Sequence, residues 1–298
     1  MSVRSHNPRP TRPVIAVCSL ILVLGLPTLA LADLLAEIQG RGSLRNCMAP
    51  YTPLNVKDPL SGAWSGINVE LAEAFVAELG VEHEIVEVTF RTAIPALQAG
   101  RCDVALSGFY INEERRTVVD FSDPVGLETS LIVVHRDSPA QSFADIDQPE
   151  QVVGVAAGGG HARWVPTQLQ QATVKEILYE GESAVAIAFE VANRRVDAGI
   201  SGSLALGNFS VQNPAIPLRF LPEPLREVPY AFIVPKGEQA LLERLNGWLE
   251  EAKATGLLAE LERKYLGAAA IHLPPRSQPR SPPLPPNIPD PGSRNATP

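Results

Sequence analysis

Short apolar runs alternate with charged stripes of helical period along most of the chain. Ser43 to Met48 is the first such run and reads as a strand. Pro50, Pro53, Pro59 and Gly62 then break the pattern, so Ala49 to Ser65 is a loop with a hairpin. From Gly66 to Leu79 the residues Val69, Leu71, Ala72, Phe75, Val76 and Leu79 form a helical stripe, which Gly80 stops. Glu84 to Val88 is a second strand, and Thr92 to Ala99 a short helix ended by Gly100. Asp103 to Leu106 is a third, buried strand. This alternation implies parallel pairing in an α/β lobe.

Ser130 to Val134 is a strongly apolar strand. Phe143 to Ile146 with Gln151 to Val155 opens a second α/β unit. It continues through Gly158-Gly159-Gly160, a helix from about His161 to Gln171, a strand over Val174 to Leu178, a helix over Ser183 to Asn193 and a strand over Arg195 to Ile200. Tyr230 to Val234 is another strongly apolar strand, and Glu238 to Thr255 and Leu257 to Tyr265 are closing helices around Gly256. The chain thus leaves a first lobe near Val134 and returns to it near Tyr230. Residues 41–134 with 230–268 make lobe 1, and 135–229 make lobe 2. Two crossings form a hinge, and ligands favour such interfaces.

The ends differ. Arg4, Arg9 and Arg12 precede the apolar run Val14 to Leu26, and Ala30-Leu31-Ala32 fits a cleavage site before Asp33. The run is short for a span of about 20 residues, so residues 1–32 read as a cleavable signal peptide. Cys18 follows Val17, where lipoprotein processing wants a smaller residue. Residues 269–298 are dense in proline and serine and read as a disordered or polyproline tail. Export leaves Cys47 and Cys102 in an oxidising space, where a disulfide and two buried thiols are both open readings.

Charge and motifs narrow the function. The formal net charge of −8 argues against a nucleic-acid partner. No His, Cys, Asp or Glu cluster has metal spacing, and no P-loop, dinucleotide fingerprint or nucleophile elbow is present, so neither metal nor cofactor is expected. The chemistry concentrates between Asp103 and Pro124. Its strand breaks at Ser107-Gly108 and restarts as a helix at Asn112-Glu113-Glu114-Arg115-Arg116, with Asn112 as N-cap. A strand end, free amides and an arginine fork together suit a carboxylate clamp. The alternative is a solvated Arg115 paired with Glu113 or Glu114. The three glycines at 158–160 are likewise either an anion nest or a tight turn.

The order Gly100-Arg101-Cys102-Asp103, Ser107-Gly108, Glu114-Arg115 and Asp120-Phe121-Ser122-Asp123-Pro124 resembles the extracellular solute-binding proteins of family 3, periplasmic amino-acid receptors of ABC importers. The resemblance runs from about Gly42 to Gly267. It implies an α/β, two-lobed periplasmic-binding fold of type II with two crossover strands as its hinge. It also implies that Arg115 grips a ligand carboxylate and that Tyr51 and Phe90 wall the ligand as two facing rings. Ser107, Gly108 and Tyr110 would meet the polar head, with Tyr110 narrowing the space. Gly159 and Gly160 would belong to the second-lobe loop, with His161, Arg163 and Arg91 as possible sources of positive charge. Gly202 stands where amino-acid-binding members carry an aspartate for the ligand's ammonium, while Asp197 reads as structural. Either another acid such as Glu182 reaches in, or the ligand has no amine. The implied protein is a monomeric periplasmic receptor that passes an amino acid or related organic acid to an ABC permease. Two alternatives stand beside it: a dehydratase with Glu182 or His161 as acid, and a partner or sensor module of a dehydrogenase or kinase system.

Overall fold

The structure is a computed structural model that describes residues 33–266. The expected signal peptide with Cys18, and the proline-rich tail, lie outside the described residues. The described chain opens with a helix that the sequence pattern did not indicate, Leu34–Arg41. Asp33 caps it by accepting from the Leu35 N–H at 3.2 Å, and Gly42 ends it in the left-handed conformation. Only Ile38 of this helix is buried, which leaves no apolar stripe to read.

The strands, in chain order, are β1 (Ser43–Met48), β2 (Val56–Lys57), β3 (Trp64–Ser65), β4 (Glu82–Glu87), β5 (Ala105–Tyr110), β6 (Val119–Phe121), β7 (Gly126–His135), β8 (Val152–Ala156), β9 (Thr173–Ile177), β10 (Ala198–Gly202), β11 (Leu218–Phe220) and β12 (Arg226–Pro235). In the first half β1 pairs in parallel with β4, and a parallel bridge between Asn46 and Val104 ties β1 to the entry of β5. The far end of β12 holds β5 and β6 by antiparallel pairing. In the second half β10, β8 and β9 pair in parallel. One sheet, ordered β5-β12-β7-β10-β8-β9, runs through both halves.

The crossing is a two-stranded ribbon. Gly126 to Ser130 of β7 lies antiparallel to Arg226 to Tyr230 of β12. Beyond it, Leu131 to Val134 pairs with Ala198 to Ser201 of β10, and so belongs to the second half's sheet. The junction therefore falls before the sequence boundary at Val134. Both crossing strands are ten residues long and begin earlier than their apolar runs; in β7 the added residues include Glu128 and Thr129, polar yet buried.

Two other elements depart from expectation. The helix after the triple glycine is Gly160–Trp164 and gives way to a 3₁₀ turn at Val165–Thr167, where Pro166 has no N–H to continue it. Helix Ser203–Gln212 and strand β11 carried no usable period; the helix packs Phe209 edge-on against Phe189 at 5.7 Å.

Apolar packing supplies the stability, at about 1.5–3 kcal/mol per fully buried Val, Leu, Ile or Phe. One cluster under β1, β5 and β12 includes Val88, Leu97, Phe109, Val119 and Ile233. Cys47 and Cys102 lie in it and are joined as a disulfide with Cα atoms 5.5 Å apart, which settles the two open readings. A second cluster holds Ile132, Ile146, Val153, Val155, Val165 and Ile200 in the other half. Beside β1 the buried Asp103 accepts from Arg41 and, at 2.6 Å, from Arg45.

Candidate functional site

Arg115 lies on a one-turn helix, Glu113–Arg116, whose N-cap Asn112 accepts from the Arg115 N–H at 2.8 Å. Its neighbours are spent elsewhere. Arg116 pairs with Glu113 at 3.4 Å, and Glu114 pairs across the halves with Arg163 at 3.3 Å. Arg115 itself turns inward and is 8% exposed, so the solvated reading is wrong. Its Nη1 donates to the Tyr110 carbonyl and its Nη2 to the Gly158 carbonyl, each at 3.1 Å. Two of five N–H donors are thus used on main chain. Burial lowers the guanidinium pKa to about 10, which leaves it charged at neutral pH.

Around Arg115 a cavity of about 40 Å³ lies between the halves, with room for a few water-sized groups. From the first half Tyr51, Phe90, Gly108 and Tyr110 line it. Tyr51 and Phe90 meet edge-on, with centroids 5.8 Å apart at 85°, and Phe90 meets Phe109 the same way at 5.2 Å. The two rings therefore wall the cavity without forming the facing sandwich. Ser107 does not line it. Its hydroxyl accepts from the Ala49 N–H at 2.8 Å and donates to the Cys47 carbonyl at 3.1 Å, so it braces β1 against β5.

From the second half come Ala156, Gly159, Gly160 and His161, with Tyr179, Ser183 and Ser201. The glycine loop is a tight turn more than an anion nest. The Gly159 N–H is bound to the Ala156 carbonyl at 3.1 Å, and the Gly158 N–H points to Glu176 at 3.4 Å. What the loop offers the site is the Gly158 carbonyl and an absent side chain at Gly160, where a Cβ would strike the ring of Tyr110. His161 is buried, with Nε2 2.9 Å from the Ser130 hydroxyl and its ring edge-on to Tyr110 at 5.3 Å. Burial, and then the charge of Arg226, push its pKa down to about 3, so it is neutral and adds no positive charge. Arg163 is held by Glu114, and Arg91 lies exposed with its stem against Gly158.

The acid in the cavity is Glu128, which sequence reasoning missed. It sits on the crossing ribbon, 2% exposed. Its Oε1 accepts from the Tyr51 hydroxyl at 2.6 Å and the Leu204 N–H at 3.2 Å, and its Oε2 from the Tyr110 hydroxyl at 2.8 Å. Burial raises its pKa, and both tyrosine pKa values are held well above the ordinary range by burial and this carboxylate. Gly202 makes the space: a Cβ there would overlap Glu128 Oε1 and Tyr51 Oη. Glu182 is a different matter. It accepts from the Thr52 N–H at 3.1 Å and from the Thr52 hydroxyl, and so latches the second half to the loop after β1. Asp197 accepts from the Val152 N–H at 2.8 Å, a structural contact. The sequence carried no usable signal for Glu128, because the apolar run begins only at Ser130; in the structure Glu128, Ser130 and Ile132 alternate on one buried face of β7.

Known proteins share this architecture. An ancestral arginine-binding protein bound to arginine is 33% identical, with a TM-score of 0.67, covering 76% of this chain and 99% of that one. The ancestral amino-acid-binding protein AncCDT-1, a precursor of cyclohexadienyl dehydratase, is 32% identical with a TM-score of 0.69, over 78% and 99%. The L-arginine-binding protein of Pseudomonas aeruginosa is 26% identical over 82% of this chain and 92% of its own length. The glutamine-binding protein of an ABC transporter of Bacillus subtilis is 27% identical over 71% and 76%. The sequence model of one family matches residues 44–268. The chain belongs to the bacterial extracellular solute-binding proteins, family 3.

Proposed function

We propose that this chain is a periplasmic receptor that captures a small amino acid between its two halves and presents it to the permease of an ABC importer. The observation that carries this reading is Arg115, a charged and buried guanidinium facing the inter-half cavity with donors to spare. A ligand carboxylate is the group such a fork accepts best. The relatives that bind arginine or glutamine support an amino acid as the solute class. Closure is then a population shift toward the state in which both halves touch the ligand. Residues 1–32 would direct export and be removed, and the mature receptor would act as a monomer.

The test is a thermal-shift screen of the full exported chain against the common L-amino acids and prephenate. A ligand at 100 times its Kd adds about 2.7 kcal/mol, a readable rise in melting temperature. At least one amino acid is expected to give that rise, and Arg115→Ala to remove it. No shift with any amino acid, or turnover of prephenate, would overturn the receptor reading.

A further inference from the structure

We infer that Glu128 is the acceptor for the ligand's ammonium group, which makes the solute a zwitterion held between Arg115 and Glu128. The inference rests on the receptor reading and deepens it. Glu128 is a buried carboxylate whose three hydrogen-bond donors, Tyr51, Tyr110 and the Leu204 N–H, are all uncharged. Among the described residues no ion pair includes it. A buried anion without a counter-charge is costly, and neutral donors offset that cost only in part. A carboxylate has about four acceptor sites. Three are filled here, and Oε2, with the Tyr110 hydroxyl as its one partner, keeps another.

Position adds to chemistry. Glu128 and Arg115 line the same small cavity, so a ligand meets a fixed cation and a fixed anion at once. An α-amino acid carries the complementary pair on one carbon atom. The two tyrosines hold both carboxylate oxygens and so fix the direction of the remaining site. The missing side chain at Gly202 gives the carboxylate its room, so this pair of residues works as a unit. The cavity is small, and the edge-on rings of Tyr51 and Phe90 limit the side chain it takes. The solute class is therefore an α-amino acid.

The experiment is calorimetric titration of the full exported chain with each L-amino acid and with the matched acid that has hydrogen in place of the amine. Wild-type protein should bind amino acids and reject the matched acids. Glu128→Gln keeps the shape and removes the charge. It should lower amino-acid affinity on the order of 100-fold, the range for breaking one side of a buried charge pair, and should narrow the gap to the matched acids. If that variant folds poorly, Glu128→Asp, which shortens the side chain and keeps the charge, should still prefer amino acids to the matched acids. Amino-acid affinity within threefold of wild type in Glu128→Gln would overturn the inference and leave the receptor reading standing. Arg115-dependent binding of the matched acids by wild-type protein would do the same. No binding by any probe, with Arg115→Ala indistinguishable from wild type, would sink both.

Discussion

His161 is the residue whose burial has the plainest consequence in solution. It is packed against Tyr110 and Ser130 and repelled by Arg226, and its pKa falls to about 3. In the unfolded chain a histidine titrates near 6.5. Between about pH 6.5 and 3 the unfolded state therefore binds a proton that the folded state refuses, and stability drops as pH falls through that window. Well above pH 6.5 the residue contributes no slope. From pH 7 to pH 5 its share of the loss is about 2 kcal/mol. Glu128, with its raised pKa, acts with the opposite sign, so the clean measurement is a difference. Urea unfolding at both pH values should show a smaller acid loss in His161→Gln than in wild-type protein; equal losses would refute the assignment. At this scale the sequence was half legible. Arg115, Gly108 and Tyr110 lie within the span of an ordered motif string, and Tyr51 and Phe90 at positions matched to the family's aromatic walls; the structure brings all five to one cavity. Glu128 could not be placed, because its meaning comes from Gly202, a residue far along the chain that is its neighbour only through the pairing of β7 and β10.

The glycine loop and the crossing ribbon set what the elements can do. Gly160 lets the second half approach Tyr110 of the first. Gly160→Ala adds a methyl group that this closed arrangement cannot hold, at roughly 1–3 kcal/mol for overpacking. The cost falls on closure and not on either half. The expected result is about 5- to 150-fold weaker ligand binding, with the unliganded melting temperature retained. Small-angle scattering in saturating ligand should show a larger radius of gyration than wild type; an unchanged radius with unchanged affinity would count against this contact as a closing contact. Strand order and most helices were legible from their periods. The early starts of β7 and β12 were not, because polar residues paired with partners look like loop until the partners are known. The helix expected to reach Gln171 ends at Trp164 for a simpler reason, since Pro166 stops it.

Across the whole molecule, long-range ties hold each half and then the halves together. The Cys47–Cys102 disulfide spans a separation of 55 residues. Closing a loop of that length should stabilise the fold by roughly 4 kcal/mol through the unfolded state. Cys47→Ala with Cys102→Ala should therefore lower the unfolding free energy by about that much while ligand affinity holds. A loss below about 1 kcal/mol would mean the tie adds little. Between the halves run the bond from Arg115 to Gly158, the latch from Thr52 to Glu182 and the pair of Glu114 with Arg163. The alternation of strands and helices was enough to foresee two halves and two crossings. It could not say where the crossing lies, because the continuous sheet gives no break in composition at the junction.

Glu128 sits in that junction, and Arg115 in the first half. Glu128 is bonded to Tyr51 and Tyr110 of the first half, so a hinge at the ribbon that carried off the glycine loop and Leu204 would leave both charged anchors on the first half. A passenger gripped at its two poles is then not let go by the opening of the door alone. Unloading requires something that competes for the poles themselves. The dwell time of solute on the opened receptor, and not the speed of opening, becomes the quantity that governs delivery.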